Sequence, residues 1–249
     1  MKLLRYRVRA ILAIGYTVLA FPVGATEPAS ACACPAELVQ DDPRFPKLAQ
    51  SLKGKEPVSI VVIGGSSTVG AAAGGGDAAY PHQLELALRS RYPGVPINVL
   101  NRGALRETAE QMETRIEHDV LPEKPNLVIW EVGIADAVRN SDLDAFAAAL
   151  QTGIARLQHA NIEVMLIDMQ FSPDAASVIN FTPYLDAVHQ AGDLADAYVF
   201  HRYAVMKHWS DVGSFQLSDV PKDERPKLAA KIYACLGERL ADAIAYATR

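Results

Sequence analysis

From residue 58 onward, short apolar runs rich in β-branched residues alternate with segments of helical period, and this alternation constrains the fold most. Residues 59–63, 97–100, 127–132, 163–168 and 198–200 read as strands too apolar to leave a face in water. Between the first two, residues 80–92 place Leu84, Ala87 and Leu88 on one helical face, with Pro81 in the first turn. Ala109, Met112, Ile116 and Val120 recur at the same spacing before Pro122 and Pro125. Ser141, with Asp144 three residues on, makes a capping-box-like start to a stripe of Leu143, Phe146, Leu150, Ile154 and Leu157. Residues 183–197 form a further helix, and Pro226 opens a last one striped by Leu228, Ile232, Leu236, Leu240 and Ile244. Strands separated by helices predict a parallel sheet covered on both faces. The expected fold is therefore a three-layer α/β/α sandwich of five parallel strands in the order 2-1-3-4-5, one domain over residues 58–249.

The start of the chain reads differently. Lys2, Arg5, Arg7 and Arg9 form a basic run without an acid, residues 10–23 are mostly apolar, and Val23-Gly24-Ala25 is small enough for a signal peptidase. Residues 1–25 are thus expected to be a signal peptide, leaving no stable membrane span after processing and a periplasmic or secreted protein. Residues 26–57, rich in Pro and Ala, are expected to be an irregular lead-in. Of 24 basic and 29 acidic residues, four basic ones leave with the signal, so the remainder has a net charge of −9. An acidic body with no basic stripe argues against nucleic acid as a partner. Export makes a disulfide plausible, Cys235 with Cys32 or Cys34, and the sequence leaves that choice open. Cys32-Ala33-Cys34 has the wrong spacing for zinc, and no metal or cofactor is expected.

In a parallel sheet of this type, ligands bind beyond the carboxyl ends of the strands. After strand one comes Gly64-Gly65-Ser66-Ser67-Thr68-Val69-Gly70, which is neither a P-loop nor a dinucleotide fingerprint nor Gly-x-Ser-x-Gly. It puts a serine at the tip of a buried strand, where backbone N–H groups can surround a nucleophile. Residues 60–70 resemble the first block of the SGNH (GDSL) hydrolase family, Asn101-Arg102-Gly103 the second, and residues 127–133 the lead-in to the third. His208-Trp209 and Tyr233-Ala234-Cys235-Leu236 are similar to an exported bacterial subgroup, and the likeness covers about residues 32–247.

The resemblance implies a flavodoxin-like SGNH hydrolase fold and a serine esterase or deacylase, with Ser66 as nucleophile and the Gly103 N–H in the oxyanion hole. It also exposes three departures, of which the first, Gly65 for the block-one Asp, is one the subgroup shares. The family's block-three Asn is Ala135 here, which has no side-chain donor. Counting back from Tyr233, the family's Asp-x-x-His becomes Glu224-Arg225-Pro226-Lys227, so Glu224 stands for the acid and Lys227 for the base. Asp168 and Gln170 end strand four at the rim and are expected to line a pocket. Asp186-Ala187-Val188-His189 spells Asp-x-x-His but falls in a helix before strand five, as a coincidence; His201 and His208 flank that strand, His208 in a structural role. Two functions follow: an ester hydrolase with weakened or lost catalysis acting on a small acylated substrate, or a noncatalytic protein binding an acylated glycan, lipid or protein in the same cleft.

Overall fold

The computed structural model describes residues 31–42 and 44–249, so the expected signal segment lies outside the described residues. Strands Val58–Gly64 (β1), Ile97–Gly103 (β2), Leu127–Glu131 (β3), Glu163–Ile167 (β4) and Tyr198–Phe200 (β5) form one parallel sheet in the order β2-β1-β3-β4-β5. Each strand lies where the sequence predicts it, to within a few residues. The register pairs Gly64 with Gly103 and Glu131 with Ile167, which brings the strands' carboxyl ends to one rim.

The helices are Pro46–Gly54 (α1), Ser66–Val69 (α2), Tyr80–Arg91 (α3), Ala109–Asp119 (α4), Ile134–Arg139 (α5) and Leu143–His159 (α6). Pro173–Ala176 (α7), Thr182–Ala195 (α8), Arg202–Asp211 (α9) and Arg225–Ala247 (α10) follow. Because side chains alternate along a strand, Ile60, Val62, Ile129 and Met165 meet Leu48, Leu84, Trp209 and Leu236 on one side. Val61, Ile63, Trp130 and Leu166 meet Met112, Phe146, Leu150 and Val188 on the other. These two cores give the three layers. The same alternation sends Glu131, two residues beyond Ile129, toward the side of α3 and α10.

Three local expectations need correction. The lead-in is not wholly irregular: α1 buries Leu48, Ala49 and Leu52. Its first N–H groups, on Lys47 and Leu48, donate to the Glu163 carboxylate at 2.9 and 3.0 Å. That cap comes from a distant strand, so the local sequence does not announce it. Helix α6 is capped by Asp142, whose carboxylate accepts from Ala145 N–H at 2.9 Å, rather than by Ser141. Helix α9, which the sequence pattern did not predict, follows β5 directly. The N-terminal stretch is tied down by a Cys32–Cys235 disulfide and by Trp209 Nε1, which donates to the Ala33 carbonyl at 3.0 Å. Cys34 is left as a thiol.

Candidate functional site: the Ser66 cleft

Ser66 begins α2, one residue after the turn at Gly65 that leaves β1. Two glycines allow this short helix to sit tightly on the sheet. A Cβ on Gly64 would stand 2.9 Å from Glu131 Oε2, and one on Gly103 would stand 2.7 Å from Val69 N and 2.9 Å from the Thr68 carbonyl carbon. Gly103 therefore serves as the place where β2 and α2 touch. Its N–H donates to Asn101 Oδ1 at 2.9 Å, so that donor is already engaged. Ser66 Oγ accepts from Arg106 N–H at 3.3 Å. Among the described residues, no imidazole or amine hydrogen-bonds to Ser66 Oγ.

Beneath the serine lies a buried ion pair. Arg202, at the start of α9, is 0% exposed and Glu131 is 3% exposed. Arg202 Nη1 meets Glu131 Oε1 at 3.2 Å, and Nη2 donates to Ser67 Oγ at 3.2 Å and Gln170 Oε1 at 3.3 Å. Glu131 Oε2 accepts from Gly65 N–H at 3.2 Å and Thr68 Oγ1 at 2.8 Å. Thr68 Oγ1 in turn lies 2.9 Å from the Tyr80 hydroxyl, whose ionisation burial pushes well above its usual range. One carboxylate and one guanidinium thus fix the turn that carries Ser66 from below. Arg202 Nε is left without a hydrogen-bond partner among the described residues, so the pair sets the geometry of the turn more than it adds stability.

Above this floor opens a cavity of about 230 Å³. Met112, Val132, Ile134 and Val138 give it an apolar wall, and Arg106 and Arg139 stand at its side. Of the residues singled out in the sequence, Ser66, Ala135 and Gln170 line this one cleft. Gly103 and Asp168 are not among its lining. Glu224 and Lys227 line a different groove of about 380 Å³ with Gln216 and Leu228, which shares no residue with the Ser66 cleft. Both side chains are exposed at the start of α10. Asp136, behind the cleft, accepts from Ala109 N–H at 3.1 Å, and burial pushes its carboxyl up to about 6.

Asp168 belongs to a neighbouring cluster at the ends of β4 and β5. Its Oδ1 accepts from Tyr203 N–H at 2.7 Å and its Oδ2 lies 3.0 Å from His189 Nε2. His201 Nδ1 is 3.3 Å from the same His189 nitrogen. The partner of His189 is therefore Asp168, not Asp186 of the Asp-x-x-His spelling. Hydrogen bonding to Asp168 raises the His189 pKa, whereas burial lowers that of His201. The sequence offered signals for part of this site. Glu131 is the one acid in an apolar strand, and Arg202 and His201 follow strand five at the ligand-binding rim.

The model of the non-GDSL lipase-like family matches residues 31–249. Among solved structures, the acetylxylan esterase Axe2 from Geobacillus stearothermophilus is similar at a TM-score of 0.60 and 20% identity, over 75% of this chain and 94% of that one. A lipase/acylhydrolase from Enterococcus faecalis is similar at 0.61 and 21% identity, over 75% and 95%. LAE5, an alpha/beta hydrolase from the metagenome of Lake Arreo, Spain, is similar at 0.60 and 19% identity, over 78% and 97%. None of the curated proteins compared matches the chain. At these identities the structural likeness speaks for the fold, while the family match spans all of the described residues. The chain belongs to the non-GDSL lipase-like family and has the SGNH hydrolase fold.

Proposed function

We propose that this protein holds a small acylated ligand in the Ser66 cleft and turns esters over far more slowly than a serine hydrolase with a complete catalytic set. The surroundings of the Ser66 hydroxyl carry the proposal: it accepts from a backbone N–H and hydrogen-bonds to no described base. A serine whose proton has nowhere to go is a weak nucleophile. Ala135 lines the cleft with a methyl group where an oxyanion donor would act, and the Gly103 N–H is engaged by Asn101. The alternative is a working esterase, favoured by the placement of Ser66 at the tip of β1 beside an acyl-sized cavity. The apolar wall suits a short acyl group, and Arg106 and Arg139 suit a polar or anionic remainder. The acetylxylan esterase among the structural neighbours makes an O-acetylated glycan the first ligand class to try. We place the protein in the periplasm or outside the cell, with support from the basic-then-apolar start of the sequence and from the disulfide.

Hydrolysis of 4-nitrophenyl acetate tests the choice. The expected rate is at least about 10³-fold below that of an intact serine esterase, with Ser66→Ala within about twofold of the unsubstituted protein. Lys227→His combined with Ala135→Asn is expected to leave the rate low, because Lys227 lines the other groove. A rate near that of intact esterases, abolished by Ser66→Ala, would show that the cleft is catalytic.

A further inference from the structure

We propose that Asp168, His189 and His201 form a binding site for a divalent transition-metal ion of the zinc class, beside the Ser66 cleft. The three facing atoms are His189 Nε2, His201 Nδ1 and Asp168 Oδ2. Their separations are 3.0 Å from His189 to Asp168, 3.3 Å between the two histidines, and 4.0 Å from His201 to Asp168. A point equidistant from all three lies about 2.0 Å from each, which is the length of a zinc bond to imidazole nitrogen or carboxylate oxygen. Two of the separations match the roughly 3.3 Å between tetrahedral ligands at that bond length, and a small turn of the His201 ring, closing its 4.0 Å gap to Asp168, would complete the set.

The proton inventory points the same way. His189 Nε2 faces a carboxylate oxygen and another imidazole nitrogen, and it can carry at most one proton between them. One cation would satisfy all three atoms together. The carboxylate is held in place, because its other oxygen accepts from Tyr203 N–H at 2.7 Å, the kind of outer contact that orients a metal ligand. Both imidazoles are reachable, with side chains 39% and 30% exposed, while Asp168 is 1% exposed. That leaves an open direction for water or ligand as a further partner of the ion. Asp193 adds negative potential at both rings, Asp186 adds to it at His189 and Asp41 at His201. Two imidazoles and one carboxylate favour zinc, cobalt or nickel over magnesium or calcium, which prefer oxygen. The site sits at the carboxyl ends of β4 and β5, the rim where parallel α/β sheets bind ligands.

The test uses the purified protein without a polyhistidine tag, stripped with a chelator and titrated with Co²⁺ followed by visible absorption, and with Zn²⁺ followed by calorimetry. One equivalent is expected to bind, with ligand-field bands for Co²⁺ that Zn²⁺ displaces. His189→Gln and His201→Gln should each weaken binding at least about tenfold, while His159→Gln, on the far end of α6, should bind as the unsubstituted protein does. Far-UV circular dichroism of each variant keeps a folding defect from passing as a binding defect. No saturable binding by the unsubstituted protein, or binding that survives removal of both His189 and His201, would overturn the site.

Discussion

Arg202→Met is expected to destabilise the protein by about 3–5 kcal/mol, because it leaves the buried Glu131 carboxylate without its cation. Both side chains are buried, and the guanidinium is the only cation in contact with that carboxylate among the described residues. Hydrogen bonds from Gly65 N–H and Thr68 Oγ1 remain to Glu131, and they soften the loss without cancelling the charge. Glu131→Gln should also destabilise, since the guanidinium is then the unpaired group. The double variant Arg202→Met/Glu131→Gln buries no charge and should be more stable than the sum of the two losses implies. Urea denaturation of the four proteins measures this as a cycle, with a coupling above ~1 kcal/mol expected. Strictly additive losses would show that the two residues do not act as a pair.

The second large effect is expected from the disulfide. Cys32 and Cys235 are 203 residues apart, so the bond closes most of the chain into one loop. In the chain-entropy view such a loop is worth about 5 kcal/mol, and measured losses on removing native disulfides run at about 2–5 kcal/mol. Part of the attachment survives without it. Trp209 Nε1 still donates to the Ala33 carbonyl, Tyr198 OH to that of Val39 at 2.6 Å, and Val199 N–H to the Asp41 carboxylate at 2.8 Å. Cys32→Ser/Cys235→Ala is therefore expected to lose about 2–5 kcal/mol in urea denaturation while keeping its far-UV spectrum. Reducing the unsubstituted protein should reproduce the loss, which separates the cross-link from the packing of Cys235. An unchanged midpoint in both experiments would show that the hydrogen bonds alone fasten the N-terminal stretch.

The sheet was legible because its strands are short, apolar and spaced by helices, so composition and connectivity both point to one topology. Val61 and Trp130 needed no partner to be named before they read as buried. Helix α1 was hidden because its cap, Glu163, lies on β4. Helix α9 is hidden because no capping side chain announces it: His201, at its N-cap, makes no capping hydrogen bond and no acid stands in the first turn. At the site, Ser66, Ala135 and Gln170 each follow a strand closely, a position that the fold converts directly into proximity. Glu131 with Arg202, and Asp168 with His189, are pairs made by strand register and helix docking across 71 and 21 residues. No local spacing encodes them. The count back from Tyr233 put Glu224 and Lys227 in sequence register with a catalytic pair, while the chain carries them to an exposed groove at the start of α10.

Covalent labelling reads most directly whether Ser66 lacks an activating base, as we propose from its surroundings among the described residues. A fluorophosphonate probe forms an adduct with a serine whose proton is taken by a neighbouring base. Intact-mass spectrometry of the protein after incubation, beside an intact serine esterase labelled to completion, is predicted to show no adduct on Ser66. A stoichiometric adduct mapped to Ser66 by peptide analysis, and absent from Ser66→Ala, would show that a base does activate this serine.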